Sequence, residues 1–565
     1  MIGSPPGVRA PLRGVVYPPA GALAKYRQSG ALTDETLVEA LIASFERHAD
    51  RIAVSEGDAV YTYRQLDDIT DRAAGAYLRL GLRPLDRVLF QVPNSAELLF
   101  ALIGALKAGL IPISTLVPHR KLEIGYIGAH AEAKAHVVHG DDPKFDMPGF
   151  ALEMRAEIPT LAHTIVVRSG AAAPRAPALS FSELIAAADR DAARAEIAKI
   201  ERDPYQVAWF QLSGGTTGVP KIIPRFQNEY LATSRAIFAF HELDETTVTY
   251  SGMPFVHNAP AIVCWLPALL AGGEVAAAPT HDVPSLLRLF AARKPTWMLV
   301  PHVITLRLAE AGAFAGGSFA HAKGFTVMEG ALEMAELTGA PSYPIYGMAE
   351  GIAMYGRRGD PPEILSQTVG RPVWPHDDLR ILEPDSEKDV PYGEVGELAI
   401  AGPCVLHGYY DAPERNAEAF TASGHYRTGD LMRFRTIDGE RYLVFAGRIK
   451  DVVDRGAEKI NCQEVEIAAC GHPKIGAIAV VGMPDPKLGE RACAFVVPRP
   501  DAGAVSVAEL GAYLETVGLA KYKWPERVEI VADFPMTASN KPSKPALREL
   551  IAKILAAERS QNGTT

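Results

Sequence analysis

Nine consecutive residues, Ser213-Gly214-Gly215-Thr216-Thr217-Gly218-Val219-Pro220-Lys221, place three glycines, three hydroxyl side chains and one lysine in a single short run. Glycines let successive backbone N–H groups converge on an anion, hydroxyls donate further hydrogen bonds, and the lysine adds a point charge. Such a loop can wrap phosphates. Its spacing differs from G-x-x-x-x-G-K-[ST], so it is not a Walker-type nucleotide loop. Taken alone, the run reads rather as a solvated Gly/Ser/Thr turn. The charge balance adds a constraint: 67 acidic against 57 basic residues leave a formal charge of −10. No basic field is available to hold a nucleic-acid backbone or an anionic membrane, so an anionic ligand must be met locally.

Positioning such a loop takes a sizeable framework. The chain has 565 residues, enough for about three to four domain-sized units, fewer if one α/β unit dominates. With 48% hydrophobic and 22% charged residues and a mean hydropathy of +0.03, it can bury substantial cores. Apolar β-rich runs at 88–92, 136–138, 164–167 and 297–300 alternate with helical patterns such as 96–108, which predicts parallel α/β sheets. A boundary is expected near 450. It separates a large domain, residues 1–449, from a lobe, residues 450–565, with strands at 477–482 and 492–497 and helices at 507–517 and 544–557. The Pro/Gly-rich first fifteen residues and the polar tail 558–565 read as frayed. Five cysteines form neither a disulfide framework nor a CxxC pair, which predicts buried thiols in a reducing compartment. The apolar stretches 98–113 and 259–270 are interrupted by Lys107, Gly104, Gly109, Pro260 and Pro267 and fall short of the roughly 20 residues a membrane span needs. No secretory signal is visible, and a soluble cytoplasmic protein is expected.

Four further strings accompany the loop in order: Tyr346-Gly347-Met348-Ala349-Glu350, Tyr426-Arg427-Thr428-Gly429-Asp430, Gly447-Arg448-Ile449-Lys450-Asp451 and 535–541, Pro-Met-Thr-Ala-Ser-Asn-Lys. On these motifs the chain resembles, over roughly 20–550, the adenylate-forming (ANL, AMP-binding) superfamily of acyl and aryl acid ligases. The resemblance implies an α/β fold: a large N-terminal domain of parallel-rich sheets with a β-barrel-like part, and a small mobile α+β C-terminal lobe. It also implies ATP and Mg²⁺. Residues Ser213 to Gly218 and Lys221 would hold phosphates, while Gly330, Ala331, Tyr346, Gly347 and Met348 would line the nucleotide. Glu350, with Thr217, would ligate the metal, since hard carboxylate and phosphate oxygens share Mg²⁺. Asp430 would accept the ribose hydroxyls and Arg448 would stand near ribose and phosphate. Lys541 would neutralise charge on the α-phosphate, which requires the lobe to close over the main domain by turning at Lys450. The family has Gly before this lysine and a β-branched residue after it, where this chain has Asn540 and Pro542.

Met253-Pro254-Phe255-Val256-His257-Asn258 and Pro118-His119-Arg120 resemble the branch that activates 2,3-dihydroxybenzoate or salicylate. There His257, Asn258, Ala259, Val263, Gly351 and Ala353 would form the acid pocket, with His257 also a catalytic candidate. Relatives carry an aromatic residue after the Asn and Ser or Cys five positions beyond it; Ala259 and Val263 are apolar, which points to a less hydroxylated, bulkier or otherwise modified acid. Glu329 and Ala457 replace family glycines beside the nucleotide and the thiol channel. The implied reaction makes an acyl-adenylate and pyrophosphate, then transfers the acyl group to a thiol of a phosphopantetheinyl carrier protein or of coenzyme A, with an amine as a further alternative acceptor. The alternatives are an aryl or alicyclic acid–CoA ligase, or a catalytically impaired acyl-adenylate-binding protein. Substrate-dependent pyrophosphate exchange separates the last from the others.

Overall fold

Parallel pairing dominates the first part of the chain. A seven-stranded sheet runs in the order Leu179–Ser180, His163–Val167, Ala135–His139, Arg87–Gln91, Ile111–Ser114, Val207–Leu212, Ile222–Phe226. All neighbours are parallel except the last pair. A nine-stranded sheet runs Arg371–Pro372, Ile352–Tyr355, Ser342–Met348, Gly324–Val327, Trp297–Leu299, Val248–Ser251, Glu274–Ala277, Ile52–Glu56, Ala59–Thr62. Its interior pairs are parallel, and antiparallel strands close both edges. The computed structural model describes residues 7–170, 174–213, 220–328, 330–455, 458–537 and 541–562.

Helix Ala96–Lys107 shows why apolar runs were legible. Ser95 caps it by accepting the Leu98 N–H, and it is buried on nearly every face. Its one basic residue is neutralised: Lys107 Nζ lies 2.6 Å from Asp67 and 2.7 Å from Asp71, and Arg194 closes on the same two carboxylates. Among the described residues no helix is long and apolar enough to cross a membrane. The apolar stretch 259–270 is helical but irregular. Asn258–Pro260 and Leu266–Ala271 flank a π-helical turn, Ala261–Trp265, in which Leu266 N–H reaches back to the Ala261 carbonyl.

The chain forms two units, Met1–Asp378 with Ala401–Phe420, and Leu379–Ile400 with Thr421–Thr565. The second carries a four-stranded sheet, Asp378–Leu382, Gly396–Ala401, Tyr426–Ile437 and Glu440–Arg448, which is the barrel-like part. It also holds a five-stranded sheet built around Ile475–Asp485 and Gly489–Pro498, with helices Cys462–Ala469, Val507–Thr516 and Lys544–Asn562. The strands and helices expected in this lobe are present.

Three expectations are corrected. Residues 7–15 are tied down: Arg9 N–H donates to Asp203, Leu12 N–H to Tyr17 Oη, and Leu12 and Val15 pack on a core cluster. Glycine and proline there mark an irregular path, not a loose end. The terminal helix runs to Asn562, well into the segment expected to fray. Of the five thiols four are buried, and Cys470 is exposed.

Candidate functional site

The phosphate-loop candidate is the connection of a hairpin. Strands Val207–Leu212 and Ile222–Phe226 pair antiparallel with Leu212 opposite Ile222, and Ser213 N–H donates to the Lys221 carbonyl at 3.0 Å. Gly214, Gly215, Thr216, Thr217 and Gly218 lie outside the described residues. A second hairpin presents the acid. Ser342–Met348, containing Tyr346 and Gly347, pairs with Ile352–Tyr355, so that Gly347 faces Ala353 across the ladder. Ala349-Glu350 form the tip, closed by Gly351 N–H donating to the Met348 carbonyl. Gly351 has φ +109°, and a Cβ there would stand 1.7 Å from the Cys404 carbonyl oxygen, so this position admits only glycine.

A residue absent from the sequence argument joins the two hairpins. Tyr409, buried at 1% exposure, donates its hydroxyl to Glu350 Oε1 at 3.0 Å. Lys221 Nζ stands 4.6 Å from the centre of the same ring and 3.4 Å from its hydroxyl. Tyr409 is itself fixed by Asn416, which accepts its N–H and donates to its carbonyl. A lysine at the loop and a buried carboxylate thus meet at one phenol. Among the described residues there is no cluster of three or more His, Cys, Asp or Glu able to cage a metal. A lone carboxylate still suits Mg²⁺, which takes one or two carboxylates and completes its shell with phosphate and water oxygens.

The acid-pocket candidates come from two places: His257, Asn258, Ala259 and Val263 from the loop, short helix and π turn that follow Ser251, and Gly351 and Ala353 from the Glu350 hairpin. Asn94 clamps that loop, donating to the Ser251 and Met253 carbonyls and accepting the Phe255 N–H; Ser114 Oγ donates to the Val256 carbonyl. His257 caps the helix that follows, its Nδ1 accepting the Ala259 N–H. Asn258 is buried, and Tyr230 Oη donates to its Oδ1 at 2.7 Å. With the amide oxygen occupied, Asn258 offers Nδ2 as a donor. Ala259 is half-buried, whereas Val263 and Ala353 belong to the main core cluster, Val263 with no exposure at all. The Pro118-His119-Arg120 string builds a helix start: Leu116 N–H donates to His119 Nδ1, and Arg120 N–H to Glu123. Gly330 immediately precedes helix Ala331–Thr338; Glu329 lies outside the described residues.

In the second unit, Asp430 and Arg448 are cross-strand partners, Arg448 Nε standing 3.2 Å from Asp430 Oδ1. Gly429 has φ +71°, a turn in the strand that aims Asp430 inward, where its side chain is 5% exposed. Lys450 lies in the short helical turn Ile449–Asp451, whose Lys450 carbonyl and Asp451 carboxylate both accept from Arg548. Lys541 is exposed and closes a narrow loop: Thr537 N–H donates to its carbonyl at 2.7 Å, and its N–H donates to Thr537 Oγ1. Met536 and Pro542 face each other there. The flanking bonds are Thr537 N–H to Lys541 and Ser543 N–H to Pro535, so Pro542 occupies a non-hydrogen-bonded position where its missing N–H costs nothing. Asn540 and Ala457 lie outside the described residues.

Burial tunes several groups behind the site. Burial pushes the Glu229 carboxyl up, and the adjacent Arg225 guanidinium pulls it back down. His407 is driven down to about 4 by burial and by Arg225. Asp377 is raised to about 8 by burial, its Oδ1 having no accessible surface and no hydrogen-bond partner among the described residues.

The chain matches the profile of the AMP-binding enzyme family over residues 41–410 and that of the AMP-binding enzyme C-terminal domain over 464–541. It is 35% identical over 546 residues to 2,3-dihydroxybenzoate-AMP ligase of Bacillus subtilis (strain 168), covering 94% of this chain and 96% of that protein. It is 35% identical over 571 residues to salicyl-AMP ligase / salicyl-S-ArCP synthetase of Mycobacterium tuberculosis (strain ATCC 25618 / H37Rv), covering 96% of each. The apo structure of MbtA from Mycobacterium smegmatis superposes with a TM-score of 0.70 at 33% identity, covering 95% of this chain and 98% of that one. With both halves of the chain matched in order and relatives similar along nearly their whole length, this protein is a ligase of the AMP-binding, adenylate-forming enzyme family.

Proposed function

We propose that this enzyme uses Mg·ATP to convert an aryl carboxylic acid to its acyl-adenylate, then transfers the acyl group to a thiol. The observation that carries this is the Lys221–Tyr409–Glu350 arrangement, a cation and a buried carboxylate locked to one phenol beside a phosphate-type loop. The aryl class is supported by the near-full-length similarity to aryl-acid ligases and by the donor that Tyr230 leaves on Asn258 for a carboxylate or ortho oxygen. Apolar, half-buried Ala259 favours an acid with fewer ring hydroxyls, and Val263, which has no exposed surface, supplies no polar handle either.

In the first step a substrate carboxylate oxygen attacks the α-phosphorus and pyrophosphate leaves. Lys221 and the loop hold the phosphates, Asp430 accepts the ribose hydroxyls, and Lys541 balances the charge growing at phosphorus. Glu350 and Thr217 are the residues assigned to Mg²⁺, which when bound screens the phosphate oxygens. His257 and Asn258 orient the acid. In the second step a pantetheine thiol of a carrier protein or coenzyme A attacks the acyl carbon and AMP leaves. Residues 1–449 are assigned to ATP and acid binding, and 450–565 to a lobe that turns at Lys450 between the steps. The unforced position of Pro542 speaks for an active Lys541 loop. The test is pyrophosphate–ATP exchange over a panel of aryl acids, followed by comparison of coenzyme A with an aryl carrier protein as acceptor. Exchange that no aryl acid stimulates overturns the reading.

A further inference from the structure

Arg225 lies in strand Ile222–Phe226, the strand that leaves the phosphate loop, and its side chain is only 2% exposed. A guanidinium is expensive to bury unless it is paired and hydrogen-bonded; Arg225 Nε has no hydrogen-bond partner among the described residues, so the two terminal nitrogens carry its contacts. Here the fork spans two segments far apart in sequence. Nη1 donates to the Ala349 carbonyl and Nη2 to the Cys404 carbonyl, each at 2.9 Å, while Glu229 supplies the counter-charge. The Ala349 carbonyl belongs to the peptide that leads into Glu350. The Glu350 carbonyl in turn accepts the Leu406 N–H at 2.7 Å. Gly351 then packs so closely that a Cβ would stand 2.5 Å from Arg225 Nη1. Glu350 is therefore held on one side by Arg225 and on the other by a segment that Arg225 also holds.

We infer that Arg225 is a positioning residue for the adenylation step, its fork setting the direction in which Glu350 presents its carboxylate. This rests on the assignment of Glu350 to Mg·ATP. A guanidinium suits the task because its two N–H groups diverge at fixed angles, which a lysine ammonium cannot reproduce. A residue that only filled the core would affect every ligand alike when changed, whereas a residue acting through Glu350 affects the metal and nucleotide selectively.

The test compares Arg225→Lys, Arg225→Met and Glu350→Gln in the full-length enzyme by pyrophosphate–ATP exchange, titrating Mg²⁺ and the best aryl acid separately and recording each thermal midpoint. The expected result for Arg225→Lys, which keeps the charge but loses one of two charge-assisted bonds, is about a tenfold rise in half-saturating Mg²⁺ with the acid KM within about twofold of wild type. Arg225→Met should be worse, and Glu350→Gln should raise the Mg²⁺ requirement too. If Glu350→Gln raises it and Arg225→Lys does not, the inference falls while the reading of Glu350 stands. If Glu350→Gln leaves it unchanged, the reading of Glu350 itself falls. Parallel losses in Mg²⁺ and acid constants in folded Arg225→Lys show a purely structural role and also overturn the inference. Should Arg225→Met fail to fold, Arg225→Lys decides alone.

Discussion

Replacing Asp430 by Asn keeps the shape of the side chain and removes its charge. The cost to the fold should be small, because the ion-pair partner Arg448 is 54% exposed and a pair of that kind contributes about 0–1 kcal/mol. The cost to the ligand should be larger. If Asp430 accepts both ribose hydroxyls, each bond changes from charge-assisted to neutral, a loss of about 1 kcal/mol apiece and about 2 kcal/mol together. That corresponds to roughly a 30-fold fall in kcat/KM for ATP. The assay is pyrophosphate exchange with ATP and with 2′-deoxy-ATP, alongside the thermal midpoint. Asp430→Asn should lose most of the wild-type preference for ATP, since the weakened contacts are those the deoxy analogue already lacks in part. The aryl-acid KM should stay near wild type at saturating ATP. A variant that melts like wild type yet discriminates fully against 2′-deoxy-ATP refutes the contact; one that melts far lower refutes the estimate of the Arg448 pair.

Tyr409→Phe keeps the ring under Lys221 but removes the donor to Glu350, which should destabilise the unliganded enzyme by about 1.5–3 kcal/mol. Mg·ATP should recover part of that loss, so its stabilising thermal shift should be larger in the variant; equal shifts in both proteins contradict the assignment of Glu350. Lys541→Ala should abolish most adenylation while a chemically prepared acyl-adenylate is still transferred to thiol, and equal loss of both steps rejects a role confined to the first. Asp377, raised from 3.8 to about 8 by burial, stays protonated in the folded state over a range where the unfolded chain is ionised. Its contribution to stability is present at low pH and is lost as pH rises toward 8, so Asp377→Asn should gain on wild type between pH 5 and pH 8, by about 4 kcal/mol in all and at no more than about 1.4 kcal/mol per pH unit. Chemical denaturation at the two pH values checks this; a constant difference removes the buried acid.

What could be read in advance was what the chain carries locally. Glu350, Asp430 and Arg448 stood out because each ends or interrupts a short string of distinctive residues, and the alternating pattern around 88–108 foretold a parallel sheet with its buried helix. Tyr409 lies 59 residues from Glu350, Asn94 lies 159 from the Met253 carbonyl it holds, and Arg225 lies 179 from Cys404. No local pattern encodes those meetings; they depend on which strands neighbour one another. Register also settled Pro542: a residue-type rule counts a missing donor, but only the pairing shows that no donor is needed at that position. The same holds for segment 7–15, whose composition reads as frayed but whose bonds go to Asp203 and to Tyr17, which in turn donates to Gln206.

The π-helical turn Ala261–Trp265 bears on how this enzyme could acquire or lose substrates. Such a turn holds one residue more than a regular α-helical turn. Because the turn absorbs that residue, removing a single residue within it would let the helix relax to ordinary pitch while turning the segment before it little relative to Leu266–Ala271. Asn258 and Ala259 would then keep their present neighbours, while the side chains inside the turn, Val263 among them, would be redistributed. Divergence at this wall can therefore proceed through single-residue insertion and deletion as readily as through point substitution. An alignment that places gaps elsewhere to preserve residue matches would hide the event.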